Sequence, residues 1–201
     1  MNPTALVLLD YFGIAVFAVS GALVAAVKRQ TLVTFIFFAV VTGVGGGTMR
    51  DLLIGAPVFW VHTNVTLIIC ITAALLVWIL SGRRFVGRAL LWFDAAGLAA
   101  YATYGAAKAL GYGVAPVPAF AMGVLTACIG GIIRDVLAGE PSILMRPELY
   151  VTAAALSAGL FVGLSEFGAP VLAAAGIAIA SGFALRGLAI ARGWSLPTYR
   201  D

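Results

Sequence analysis

Apolar residues along this chain come in long unbroken runs, with neither the stripe of a surface helix nor the alternation of a half-buried strand. Seven such runs follow one another in 201 residues, near 7 to 27, 32 to 55, 64 to 81, 88 to 110, 116 to 138, 149 to 166 and 170 to 191. About 20 apolar residues in helical geometry cross the roughly 30 Å hydrocarbon layer of a membrane, so each run predicts one spanning helix. A membrane β-barrel would alternate lipid-facing and lumen-facing residues, which these runs do not. The links are short and carry turn residues: Lys28 and Arg29, Pro57, Ser81 to Arg84, Pro116 and Pro118, Pro141 to Pro147, and Gly168 to Pro170. The expected fold class is an all-α integral membrane protein with seven helices in a single transmembrane domain, residues 1–201, and no soluble domain. The first run has no basic residue before it and Lys28 with Arg29 after it, the reverse of a signal peptide, so it is expected to stay in the mature chain.

Composition supports this reading. Hydrophobic residues make up 63% of the chain and charged ones 10%, and the mean hydropathy is +1.10. A soluble domain carries about a quarter charged residues. The net charge of +4 does not point to nucleic acid, because the charges sit in ones to threes between apolar runs and therefore describe topology. Lys28, Arg29, Arg83, Arg84, Arg88, Arg146, Arg186, Arg192 and Arg200 fall on one side and Lys108 on the other, with the two arginines inside the glycine motifs set aside. The positive-inside rule then places the N-terminus outside and the C-terminus in the cytoplasm of a multi-pass cell-membrane protein. Trp60, Trp92, Trp194, Tyr11 and Tyr150 lie near span ends, where an aromatic belt is expected. Cys70 and Cys128 lie inside apolar runs and read as small buried hydrophobes. His62, the single histidine, has no Cys or carboxylate cluster around it and reads as an interfacial polar residue, so an enzyme is not expected.

The strongest signal is internal repetition. A shift of 84 residues lays Asp10, Gly13, Gly21 and Thr42 on Asp94, Gly97, Gly105 and Thr126. Without a gap it also lays Gly46, Gly47, Arg50, Asp51, Leu53, Gly55 and Pro57 on Gly130, Gly131, Arg134, Asp135, Leu137, Gly139 and Pro141, and 17 of 48 pairs are identical. Three spans separate the copies, an odd number, so they must run in opposite directions through the bilayer. This predicts an inverted repeat, 7–81 against 88–166, with a seventh helix at 170–191.

The second span of each repeat carries the unusual residues. Consecutive glycines weaken a helix by about 1 kcal/mol each against alanine, so Gly45 to Gly47 and Gly130 with Gly131 predict a break or bend. Tight helix packing through small residues is the competing reading, and it is preferred for the isolated Gly21 and Gly105. Arg50 and Arg134 need anions or water at membrane depth. Neighbours in a helix point about 100° apart, which argues against pairing within Arg50-Asp51 or Arg134-Asp135. Matching depth instead predicts salt bridges Asp10 with Arg50 and Asp94 with Arg134. Asp51 and Asp135 would then be free to face a polar cavity, unless all these charges serve only to anchor helices.

The doubled pattern GGGTMRD at 45–51 and GGIIRD at 130–135, in an inverted three-plus-three-plus-one chain, resembles the trimeric intracellular cation channels and their prokaryotic relatives. The resemblance covers nearly the whole chain. It implies a homotrimer in the lipid membrane, with an hourglass pore in each subunit walled by spans one, two, four and five and kinked at the glycines of spans two and five. Potassium, or sodium, would be the permeant ion, held near Gly46 and Gly130, with no cofactor. Thr42, Gly45, Gly46, Gly47, Asp51, Thr126, Gly130, Gly131 and Asp135 would line the path. Ser20, Tyr104 and Lys108 are gating candidates, with a hydrogen bond from Ser20 to Asp135 the expected closing contact. Animal members follow the lysine of span four with an arginine four residues later for phosphoinositide binding; Tyr112 stands there, so lipid regulation is not carried over. Inverted repeats with broken helices also serve carriers, and some prokaryotic relatives are described as glycine carriers, so a small zwitterion is the alternative substrate. A membrane scaffold without flux is a third reading.

Overall fold

The computed structural model describes residues 3–80 and 86–199. These form seven α-helices: α1 (Pro3–Val27), α2 (Leu32–Leu53), α3 (Asn64–Leu80), α4 (Val86–Gly111), α5 (Pro116–Leu137), α6 (Val151–Glu166) and α7 (Val171–Arg192), with a 3-10 turn at Ile143–Met145. The helix ends fall within four residues of the apolar runs. Arg83, Arg84 and Arg200, and the link they partly occupy, lie outside the described residues.

Local chemistry sets these ends. Thr31 caps α2, its hydroxyl accepting the Thr34 amide at 3.4 Å, and Pro116 opens α5, where a missing amide costs nothing. Helices α2 and α5 stop in the same way: Gly55 and Gly139 take left-handed φ values of 68° and 67°, and Pro57 and Pro141 follow two residues on. Helices α1, α2, α5 and α7 have the length and hydropathy of membrane spans. Helices α3 and α6 are shorter, at 17 and 16 residues, or about 24–26 Å. Helix α4 is long but carries Asp94 and Lys108.

Two ion pairs establish the inversion. Lys28, after α1, meets Glu140, after α5, at one end of the bundle. Lys108, in the last turn of α4, meets Asp51, in the last turn of α2, at the other. Helix α1 therefore ends where α5 ends and α4 ends where α2 ends, so the two copies run oppositely. Packing repeats accordingly: α1 lies on α2 and α3 as α4 lies on α5 and α6, while α1 against α4 and α2 against α5 join the halves. Helix α7 has no counterpart and covers α4 and α6.

The glycine pairs do not break their helices. Both α2 and α5 run uninterrupted through them. Their purpose is close approach where α2 crosses α5. A Cβ on Gly46 would collide with the carbonyl oxygen of Thr126, and one on Gly130 would lie 2.6 Å from the carbonyl oxygen of Thr42. Packing through small residues leaves every helical hydrogen bond intact, whereas a break would release backbone groups that need water or protein partners at this depth. Gly21 and Gly105 repeat the principle, facing the hydroxyls of Thr42 and Thr126 at 2.6 and 2.5 Å from a built Cβ.

Gly46→Ala and Gly130→Ala should each lower stability by about 1–3 kcal/mol, since neither backbone neighbour can give way. Gly176→Ala on α7, with nothing within 4 Å of the new methyl, should raise it by about 0.5–1 kcal/mol. Thermal unfolding of the detergent-purified variants reads all three.

Candidate functional site

Each repeat ends its second helix with the same clip. Asp51 Oδ2 accepts the Phe59 amide at 3.1 Å, and Asp135 Oδ2 accepts the Ile143 amide at 3.1 Å. The other carboxylate oxygen is taken by the preceding arginine: Arg50 Nε and Nη2 reach Asp51 Oδ1 at 2.9 and 2.8 Å, and Arg134 Nε and Nη2 reach Asp135 Oδ1 at 3.0 and 2.9 Å. Adjacent residues therefore do pair here, against the expectation from helical direction. The arginine stem is long enough to fold back across the 100° between them. Asp51 is not free to face a cavity; it is wholly buried.

Beyond the clip the halves differ. In the second, Arg134 Nη1 binds Asp94 Oδ1 at 2.5 Å and also donates to the Ser20 hydroxyl, which in turn donates to Asp94 at 3.5 Å. Ser20 thus serves Asp94 and Arg134, not Asp135. In the first half no Asp10–Arg50 bridge forms. Asp10 accepts the Tyr101 hydroxyl at 3.3 Å, and Arg50 lies over the ring of Tyr104, 5.0 Å from its centroid, with Nη1 unpartnered. The physical reason is a substitution between the repeats: Tyr104 occupies the position of Ser20, and its ring takes the space beside the arginine that the small hydroxyl leaves open. A second cation compensates, as Lys108 Nζ donates to Asp51 Oδ1 at 2.8 Å and lies 5.8 Å from the Phe59 ring. Its counterpart in the first repeat is Val24, so this contact exists on one side only.

A cavity of about 160 Å³ opens at the Lys28 end, with Asp94, Arg134 and Asp135 among its lining residues. Lys28, Glu140 and Arg146 also line it, and the Lys28–Glu140 pair is partly exposed. Asp135 therefore reaches a cavity while bridged, one whose wall is mainly apolar apart from these charged groups. Elsewhere in the bundle the backbones of α2 and α5 touch where the helices cross, at Gly46 and Gly130. The sequence placed a cation there; in this conformation the two carbonyl oxygens of Thr42 and Thr126 abut the facing glycines instead. The Thr126 hydroxyl turns onto its own helix, donating to the Met122 carbonyl at 2.5 Å, and the Thr42 hydroxyl is buried without a partner. Gly45 faces Ile133, Gly47 leaves room for the Phe59 ring, and Gly131 leaves room for the Tyr150 hydroxyl. Among the described residues, no three His, Cys, Asp or Glu side chains gather to hold a metal ion.

Phe59, Ile143, Tyr101 and Glu140 were missed from sequence. One signal was available: Phe59 and Ile143 stand eight residues after Asp51 and Asp135, at the same 84-residue shift. Two further residues differ from expectation. Arg186, counted as a surface anchor, is 2% exposed and bound to Glu148 at 2.5 Å. Tyr150, expected in the aromatic belt, is buried beneath it. Both are drawn in because α7 covers α4 and α6 at this level.

This arrangement defines a class: an integral membrane protein of seven helices built as an inverted repeat of three plus three with one added. A family model described as glycine transporter matches residues 7–82 and 91–166, and the chain belongs to that family. It is 43% identical over 164 residues to a UPF0126 membrane protein of Vibrio cholerae, covering 80% of this chain and 68% of that one. It is 42% identical over 148 residues to the inner membrane protein YadS of Escherichia coli K12, covering 72% of each. Among solved structures, it superimposes on the trimeric intracellular cation channel orthologue from Rhodobacter sphaeroides with a TM-score of 0.90 and 45% identity, covering 95% of this chain and 100% of that one. A prokaryotic TRIC channel solved in 0.5 M KCl matches with a TM-score of 0.88 and 27% identity, over 96% and 99% of the two chains. The family is thus that of the prokaryotic trimeric intracellular cation channel relatives.

Arg134→Met strips both Asp94 and Asp135 of their buried cation and should cost about 3–5 kcal/mol, with Arg134→Met/Asp94→Asn recovering part of the loss; thermal unfolding measures both. Glu140 lies outside the spans, and its hydrogen bond and charge contact with Lys28 hold its carboxyl below the usual range. A depressed folded pKa means this contact contributes above the ordinary glutamate pKa and is lost as pH falls through the lowered one. Lys28→Ala should move the Glu140 titration, followed by carboxyl NMR, upward toward the ordinary glutamate range, with the charge of Arg146 still holding it slightly down.

Proposed function

We propose that this chain is a cation channel that conducts through each subunit of a homotrimer, with potassium as the main permeant ion, and that the conformation described above is closed. The observation that carries this reading is the near-complete likeness to solved cation channels, joined to a cavity lined by Asp94 and Asp135 between α1, α4 and α5. The Rhodobacter sphaeroides protein is a trimeric intracellular cation channel orthologue. The basic end of the bundle faces the cytoplasm, with the N-terminus outside, by the imbalance of Lys and Arg.

Three parts divide the work. The cavity as a whole is lined by three cations and three anions, but at its inner end Asp94 and Asp135 outnumber Arg134, which favours a cation there over an anion. The crossing of α2 and α5 is the constriction, and its small surfaces let the helices slide or part without unpacking large side chains. At the far end Lys108 and Arg50 neutralise Asp51, so withdrawal of Lys108 exposes a carboxylate to the path. Ser20 and Tyr104, at equivalent positions beside the two arginines, adjust how firmly each half is locked.

The description of the matching family favours a second reading, a carrier for glycine, in which Asp135 and the cationic groups of the cavity would hold a zwitterion. The same experiment separates them. Proteoliposomes should show potassium flux that glycine leaves unchanged, and planar bilayers should show unitary steps. Asp135→Asn should reduce flux on the order of tenfold by removing the attracting charge, and Lys108→Ala should raise open probability. Saturable glycine uptake without current steps would replace the channel reading with the carrier.

A further inference from the structure

A second cleft, of about 300 Å³, lies on the α7 side of Leu91, a residue it shares with the first cavity, between the start of α4, the segment before α6 and the end of α7. Its apolar wall is Leu91, Ala189 and Ile190; its polar lining is Glu148, Arg186 and Ser195, with Trp194 beside them. Arg186 is almost wholly buried and is half used. One terminal nitrogen binds Glu148 at 2.5 Å, the guanidinium carbon lies 5.4 Å from the Tyr150 ring centroid, and Nε has no partner. Arg146 reaches within 4.0 Å of the other Glu148 oxygen, and Arg192 stacks on Trp194 at 5.4 Å. Arg186 and Arg146 against Glu148 leave one positive charge, and Arg192, outside the lining but stacked on Trp194 at the rim, adds a second. The residues after α7 hold the rim in place: Leu196 donates to the Pro147 carbonyl at 2.8 Å, and Glu148 pairs with Ser195.

An anion fits this excess, and the neighbouring wall fits hydrocarbon. Trp194 and Arg192 sit where a helix leaves the membrane, the level at which phospholipid headgroups lie. Helix α7, with no counterpart in either repeat, creates the cleft, so the inverted halves do not already account for it. We propose that this cleft is a binding site for one anionic phospholipid per subunit, with the phosphodiester beside Arg186 and Arg192 and an acyl chain along Leu91, Ala189 and Ile190. The site is independent of whether the chain conducts ions or carries glycine.

The test uses the intact, delipidated protein in neutral detergent. Phosphatidylglycerol should raise the unfolding midpoint by about 5 °C near saturation, phosphatidylcholine by much less, and native mass spectrometry should retain one phosphatidylglycerol per chain. Arg186→Gln exposes Glu148 to loss of its partner and can fail to fold, so two milder variants carry the result. Ile190→Trp, which fills the cleft, and Arg192→Gln, which removes a charge at its exposed edge, should weaken retention by about tenfold while the protein remains folded. Equal protection by phosphatidylcholine, equal protection by inorganic phosphate, or unchanged retention in Ile190→Trp would each overturn the proposal. So would dissociation of the oligomer by Ile190→Trp, which would make the cleft a contact between copies.

Discussion

A guanidinium held at membrane depth needs an anion beside it, and both halves of this bundle are organised around that need. Arg50 and Arg134 sit one turn from the ends of α2 and α5, and each draws in the aspartate that follows it. Once bound, that aspartate has one oxygen left, and it fastens the chain eight residues on. The loop after each helix is therefore tied to the arginine, and through it to the crossing of α2 and α5. Removing the charge pair would cost more than one interaction, because the loop, the helix end and the crossing share it.

The duplicated frame becomes a directional device where the copies differ. Ser20 against Tyr104 and Val24 against Lys108 are two exchanges between otherwise matching positions, and they give the halves opposite characters. One half keeps two carboxylates against a single arginine and opens to a cavity. The other balances Asp10 and Asp51 with Arg50 and Lys108 and covers them with Phe59 and Tyr104. The backbone crossing of α2 and α5 joins these two halves, one with its carboxylates reaching a cavity and the other with its charges covered and balanced. Helix α7 adds a third asymmetry, burying Arg186 and Tyr150 on a face that neither repeat would cover by itself.

Seven spans and an inverted duplication were legible in the sequence because both are one-dimensional properties. Hydrocarbon thickness converts directly into run length, and an odd number of crossings between copies converts directly into opposed direction. The proximity of Asp94 to Arg134 was also legible, since equal depth on neighbouring spans limits the partners available. The same argument failed for Asp10 and Arg50, because depth says nothing about what fills the space between two groups, and a tyrosine ring fills it here. The glycine pairs were ambiguous for a related reason: a missing Cβ weakens a helix and permits close approach equally well, and only the facing backbone decides which use prevails.

The sequence by itself determined the number, length and relative direction of the helices, and which charges had to find partners inside the membrane. Tertiary structure decided which partners they found. Side chains as long as arginine and lysine can reach several anions at similar cost, so the choice among Asp10, Asp51, Asp94 and Asp135 rests on the rings and hydroxyls packed around them, which come from distant helices.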